Sequence, residues 1–121
     1  MIASFTFFGC FSLESVTFPS TVLSIGNGVF YDCDNLRVVV LHEGIQTIGD
    51  EVFHGCVSLE SFTSPSATIS VGDEAFSDCD NLEVFVLNEV IQTIGDNAFE
   101  GGGCSLENFQ FAEISKRLIA I

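Results

Sequence analysis

The sequence has very few positive charges: three lysines and arginines stand against 17 aspartates and glutamates, for a net charge of −14. A nucleic-acid-binding surface needs a basic footprint, so no nucleic-acid partner is expected. The chain also lacks an apolar run of the ~18–20 residues that cross a bilayer, so membrane insertion is not expected. The apolar N-terminus has no positive flank of the kind found in signal peptides, so the sequence leaves the compartment unknown.

The sequence lacks the residue spacings that carry catalysis or metal binding. The five cysteines include no short C-x₂₋₄-C pair of the zinc-site kind. His42 and Glu43 begin an H-E-x-x-H pattern, but Gln46 stands where the second histidine belongs. No nucleophile shares a repeat phase with a histidine and a carboxylate. We therefore predict a protein that is not an enzyme, with no catalytic residue, no cofactor and no metal.

Phenylalanine and cysteine recur with a period of 23 residues. Each of four cysteines follows a phenylalanine by three positions, and Phe99 continues the count. The pairs are Phe7 with Cys10, Phe30 with Cys33, Phe53 with Cys56, and Phe76 with Cys79. A fixed period of this size is typical of a repeat solenoid, in which each unit packs on its neighbours. Such a stack builds an extended surface, so binding is favoured over catalysis.

Each unit contains two short extended segments and a turn. Apolar and polar residues alternate after each cysteine, which favours a strand. A second extended segment ends at a glycine, such as Gly49 or Gly72, which indicates positive φ or close backbone approach. The next residues, Asp50 to Phe53 in one unit, predict an N-capped segment of one or two turns of α or 3₁₀ helix, held by packing of its phenylalanine.

A second period of 46 residues lies over the first. Residues 32–53 and 78–99 differ at only six positions, so the chain looks like a duplicated two-unit block. Ser64 and Thr68 stand in the third unit where other units have apolar residues. We expect this layer of the core to be weaker.

The pattern C-x-x-L-x-x-V-x-F-P…I-G-x-x-A-F-x-x-C resembles the BspA-like class of leucine-rich repeats over roughly residues 5–111. The resemblance implies an α/β repeat solenoid, right-handed, with a parallel concave sheet, and the capping pattern adds short helical turns on the convex side. It also implies adhesion or protein recognition, often at cell surfaces. We predict one domain over residues 1–121, with about five units that begin near Cys10, Cys33, Cys56, Cys79 and Cys104.

Neither end of the sequence carries a polar cap. The chain starts within a unit and ends on apolar residues 118–121. Because solenoid ends need covering, we expect either a fragment of a longer array or end-to-end self-association.

Two columns of side chains have competing interpretations. Stacked cysteines would point in parallel, which disfavours disulfides and favours buried, reduced thiols. The aspartates at positions 50, 73 and 96 are favoured as helix caps. Weak Ca²⁺ binding is the alternative, although the D-x-D-x-D spacing of a dedicated loop is missing.

The predicted partner surface is the outward face of the concave strands, four, five and seven residues after each cysteine. Its residues are Arg37, Val38, Val40, Glu60, Ser61, Thr63, Glu83, Val84 and Val86. Exposed valines would form an interaction patch, although valine also suits a strand that binds nothing. We predict protein–protein recognition or adhesion, with a protein partner whose identity is unknown. The alternative is a structural slice of an extracellular or scaffold array with no binding site in this segment.

Overall fold

The computed structural model describes residues 1–101 of the chain. This part contains short strands in pairs, one pair in each of four successive units. They are β1 (Ser15–Thr17), β2 (Ser24–Ile25), β3 (Val38–Val40), β4 (Thr47–Ile48), β5 (Ser61–Thr63), β6 (Ser70–Val71), β7 (Val84–Val86) and β8 (Thr93–Ile94). The predicted fifth unit near Cys104 lies outside the described residues.

The strands pair in parallel with the sequence period as their register. β2, β4, β6 and β8 form one four-stranded sheet, in which Ile25, Ile48, Val71 and Ile94 are successive partners. β1 pairs with β3, and β5 pairs with β7. Each pairing step advances by one unit, so the described residues form a parallel β-solenoid of about three turns. The predicted repeat solenoid is confirmed in this form.

The phenylalanine column forms the centre of the core. Phe7, Phe30, Phe53, Phe76 and Phe99 stack nearly parallel, with ring centroids 5.1–5.7 Å apart. The middle three rings are fully buried. Stacked aromatic pairs contribute ~0.5–1.5 kcal/mol each beyond the burial of their surface. The column therefore ties every unit to the next.

Three cysteines, Cys33, Cys56 and Cys79, lie beside this column with their thiols hydrogen-bonded. The Sγ atoms of Cys33 and Cys56 each lie 3.1 Å from the carbonyl oxygen of a phenylalanine in the preceding unit, Phe7 and Phe30 respectively. Cys79 repeats the contact with Phe53. Cysteine suits this position because it is small and apolar, yet its S–H donates to a buried carbonyl group.

The predicted helical turns are wrong, and so is the α/β label for residues 1–101, where the structure has turns and no helix. Alternate N–H groups donate to the next unit, as Phe30 does to Val52 at 2.9 Å and Asp32 to His54 at 2.8 Å. Asp32 and Glu51 both have φ of 57°. An α-helix needs consecutive right-handed residues with bonds inside one segment, so this backbone cannot form one.

The recurring glycine is required by close approach between units and not by positive φ. A Cβ atom on Gly72 would lie 2.5 Å from the backbone nitrogen of Asp50, and one on Gly49 would lie 2.9 Å from that of Asn27. Only hydrogen fits between backbones at that separation. Of the two reasons that the sequence offered for this glycine, close backbone approach is therefore the correct one.

The aspartates do not cap helices, because the described residues contain none to cap. Asp50 Oδ1 accepts a hydrogen bond from the backbone N–H of Asp73, and Asp73 Oδ1 accepts one from Asp96, both at 2.8 Å. Asn27 Oδ1 serves Asp50 in the same way at 2.9 Å. Each side chain therefore binds the next unit.

The buried polar side chains of the third unit, Ser64 and Thr68, are hydrogen-bonded to neighbouring units. Thr68 is fully buried, and its hydroxyl donates to the carbonyl of Ile45 at 2.6 Å. Asn88 donates its backbone N–H to the Ser64 hydroxyl at 2.8 Å and its amide to the Thr68 carbonyl at 3.1 Å. His42, 46 residues before Asn88, makes an equivalent contact with the unit before it. Because a buried polar group is costly when it is unpaired, these hydrogen bonds remove the penalty for burying Ser64 and Thr68.

We predict that Phe53→Ala lowers the free energy of unfolding by ~3–5 kcal/mol, because it leaves a cavity in the middle of the ring column. Urea denaturation followed by circular dichroism measures the change. Phe11→Ala is the matched control: this ring is 58% exposed, and its removal should cost less than ~0.5 kcal/mol. An unchanged midpoint for Phe53→Ala would show that the column does not carry the stability.

We also predict a fall in stability at alkaline pH. Burial raises the pKa of the Cys33 thiol to about 11 from the ordinary 9.0. Above pH 9 the unfolded chain releases this proton while the folded chain retains it, so stability is lost as pH rises from about 9 to 11. Melting temperatures across this range should fall less steeply in Cys33→Ala. Leu36→Ala, which removes a buried neighbour with no titrating group, should keep the wild-type slope; identical slopes in both variants would contradict the prediction.

Candidate protein-binding face

The structure brings the predicted partner residues together on one face, here called the strand face and defined by the nine residues predicted from the sequence. On β5 and β7, Ser61 pairs with Val84 and Thr63 with Val86. Between them Phe62 points into the core and is 3% exposed. The alternation of inward and outward residues follows from the pleat of a strand.

The valines of the strand face are unusually accessible. Val38 is 52% exposed, Val40 49% and Val84 40%, whereas Val86 is half-buried. Burial of one such side chain against a partner contributes on the order of 1.5 kcal/mol. The face therefore offers apolar surface that a partner protein can cover.

A charged row borders the valines. Arg37 Nη2 lies 3.6 Å from Glu60 Oε2, and both side chains are more than half exposed. An exposed ion pair of this kind contributes ~0–1 kcal/mol, so it leaves the row free to rearrange on binding. Arg37, Glu60 and Glu83 line a shallow hollow with Ser58 and Asn81. The hollow carries two carboxylates and one guanidinium.

The sheet under the strand face is parallel, as predicted, but it is divided between β3 and β5. The N–H of Arg37 meets the Glu14 carbonyl at 2.8 Å, and that of Glu83 meets the Glu60 carbonyl at 3.0 Å. The equivalent bond across the division, from Glu60 to Arg37, is 3.5 Å long. That length exceeds the usual 2.7–3.2 Å range. The two halves are thus more loosely joined at this step.

A groove follows the division. Val38 and Val40 form its apolar wall, Ser61 and Thr63 form its hydroxyl wall, and Glu43 contributes a carboxylate. Apolar side chains with hydrogen-bonding groups at their edge also make up the core and rim of protein interfaces. The predicted residues on β3 and β5 therefore share one concavity.

Sequence reasoning missed three polar residues that line the hollow or the groove: Ser58, Asn81 and Glu43. Ser58 and Asn81 lie at one repeat phase, two residues after a cysteine, so the period that located their neighbours also contained their signal. Glu43 lies in the turn after β3, and its position depends on how that turn folds back.

A further depression lies over the four-stranded sheet, between β4, β6 and β8.

A solenoid of short parallel strands with this phenylalanine and cysteine spacing defines the leucine-rich-repeat class. A family model described as "BspA type Leucine rich repeat region (6 copies)" matches residues 1–119. The chain belongs to the BspA-type leucine-rich-repeat family.

Solved structures agree with this assignment. The leucine-rich repeat protein of T. pallidum (TpLRR) is 36% identical, with a TM-score of 0.80 over 82% of this chain. A leucine-rich repeat protein from Bacteroides ovatus is 24% identical, with a TM-score of 0.76 over 88% of this chain. The pneumococcal vaccine antigen PcpA is 21% identical, with a TM-score of 0.56 over 83%. The last two likenesses concern the fold alone.

The chain spans less than half of each of these proteins: 46% of the T. pallidum protein, 32% of the Bacteroides protein and 31% of PcpA. No curated protein matches the sequence significantly. Within residues 1–101, no helix is long and apolar enough to span a membrane. Proteins of this repeat family are generally non-enzymatic, and the family suggests a protein-interaction or surface repeat module.

Proposed function

We propose that this chain is a non-catalytic protein-recognition or adhesion module that binds its partner through the strand face, centred on the groove between β3 and β5. The observation that carries the proposal is the set of exposed valines beside that groove. Val38 and Val40 lie on a regular strand, where a monomeric protein usually places polar residues outward. An apolar row held on a rigid scaffold is typical of a protein interface.

The charges of the face favour a particular kind of partner. Glu60 and Glu83 flank the valines, and the chain carries a net charge of −14. Complementary charge steers association and sets orientation more than it adds affinity. The partner surface should therefore be apolar at its centre and basic at the rim that faces these carboxylates.

A second candidate function is the stacking of repeat units end to end. Phe5, Phe8 and Phe11 of the first unit are each more than half exposed, and Phe7 stacks on Phe30 with one face. Apolar surface of this kind is covered in a solenoid by another repeat or by a cap. This candidate makes the segment structural and places its contacts on the first unit instead of the strand face.

We predict that Val38→Glu together with Val84→Glu abolishes partner binding without loss of folding, because two buried carboxylates would face an apolar contact. The partner is captured by crosslinking to the native chain and then purified. Its dissociation constant is measured by biolayer interferometry and should weaken about 100-fold or more, equivalent to ~2.8 kcal/mol.

Leu23→Glu is the matched control, since Leu23 is 50% exposed but lies outside the strand face. It should change the affinity less than about threefold. If the double variant binds as tightly as wild type, the strand face is not the interface. Binding that is lost instead in Phe8→Glu and Phe11→Glu would favour the stacking function.

A further inference from the structure

A histidine and two glutamates meet on the turn side of the solenoid, away from the strand face. One ligand atom each from Glu51, His54 and Glu74 lies within 4.8 Å of the others. All three side chains are partly buried. Glu51 and His54 belong to one turn, in which the His54 N–H donates to the Glu51 carbonyl at 3.3 Å. Glu74 comes from the equivalent turn of the next unit, so the cluster is assembled by stacking.

The His54 ring is fixed in place by its neighbours. It stacks on Tyr31 with ring centroids 4.6 Å apart and planes 16° from parallel, and Tyr31 stacks in turn on Phe8. Its Nε2 atom faces Asp78 Oδ2 at 3.8 Å. The side chain is 19% exposed, and the exposure is not at Nδ1. The ring therefore presents Nδ1 inward in a defined direction.

His54 Nδ1 is a buried nitrogen with no hydrogen-bond partner among the described residues. The nearest carboxylate oxygen, Glu74 Oε2, is 3.9 Å away and so beyond hydrogen-bond distance. A buried polar atom left unpaired is costly, and native proteins satisfy such atoms with protein, water or an ion. Glu74 beside this atom, with Glu51 in the same cluster, makes a cation the natural occupant.

Repeat symmetry does not require this cluster. His54 belongs to a column whose other members are Phe8, Tyr31, Ser77 and Glu100, and Glu51 shares its phase with Gly28 and Asn97. The fold therefore accepts very different side chains at these positions. The combination of one histidine with two stacked glutamates occurs at a single step of the described solenoid.

We propose that Glu51, His54 and Glu74 bind one divalent transition-metal ion of the zinc type. His54 Nδ1 and one oxygen of each glutamate would be the three protein ligands, with water completing a tetrahedron. Ca²⁺ and Mg²⁺ prefer oxygen ligands, so a site with an imidazole nitrogen favours a transition metal over either of them. Asp78 Oδ2 lies 3.8 Å from Nε2, and on closer approach it would be the carboxylate partner that orients metal-binding histidines.

The geometry requires a small contraction. Zinc–nitrogen and zinc–oxygen bonds of about 2.0–2.1 Å place tetrahedral ligands ~3.4 Å apart. The present ligand atoms lie within 4.8 Å of one another. Rotation of the two glutamate side chains would have to close the remaining difference when the ion binds. The ion would join two adjacent units and relieve the repulsion between Glu51 and Glu74.

The competing explanation is an ion-pair triad in which protonated His54 lies between Glu74 and Asp78. That triad accounts for the two distances of 3.9 and 3.8 Å, but it gives no role to Glu51. Metal binding requires Glu51 as the third ligand. Glu51→Gln therefore separates the two explanations, since the amide keeps the size of the side chain and loses its charge.

The test is a zinc titration of the full chain under a non-thiol reductant, by competition with a chromophoric chelator. We expect one ion per chain with a dissociation constant of about 1 μM or tighter, unaffected by millimolar Ca²⁺ or Mg²⁺. His54→Gln should weaken binding at least about 100-fold and Glu51→Gln at least about tenfold. Glu89→Gln, at an exposed carboxylate outside the cluster, should bind as wild type does.

Two further readouts keep the outcome decisive. In long-range ¹H–¹⁵N spectra the Nδ1 resonance of His54 should move on zinc addition, while that of His42 should not. Circular dichroism shows whether each variant is folded. If His54→Gln does not fold, the zinc affinity of Glu51→Gln tests the proposal instead. Failure of wild type to bind zinc, or binding that persists unchanged in both variants, would overturn the proposal; the second result would indicate a cysteine site. Neither result bears on the strand face.

Discussion

The structure depends on one constraint: the polar groups of each unit are satisfied largely by the unit beside it. Backbone N–H groups donate across the stack, three buried thiols each meet a phenylalanine carbonyl of an earlier unit, and Asp50 and Asp73 accept N–H groups from the next one. A buried polar group left unpaired costs as much as a lost hydrogen bond. Units displaced from the 23-residue register would lose these bonds together, so the period is enforced at every layer.

This constraint explains the surfaces that the chain presents. Because register is fixed, residues 23 positions apart lie side by side, and any sequence difference between units becomes a pattern across a face. The valines of β3 beside the hydroxyl residues of β5 therefore produce the groove between Val38 and Ser61. On the turn side the same rule places Glu51 beside Glu74 and next to His54. Both the groove and the cluster come from sequence variation in columns that the fold leaves free.

The sequence predicted the solenoid, its parallel strands and the phenylalanine core because these repeat, and repetition is visible without coordinates. It also located the strand face, since alternation along a strand decides which side chains point outward. It failed at the turns. Asp50 looked like a helix cap because capping is a local pattern, whereas its actual hydrogen-bond partner, the N–H of Asp73, is 23 residues away. His54 gave no signal because its neighbours come from three different units.

The sequence by itself determined the unit, the family and the set of core columns, because hydrophobic periodicity acts within each unit and copies itself along the chain. Tertiary structure alone decided how the units join. The absence of helix from residues 1–101, the long bond between Glu60 and Arg37, and the burial of His54 Nδ1 all arise between units. Their cause is the direction and spacing of backbone groups across a stacking step, which residue identities within one unit do not specify.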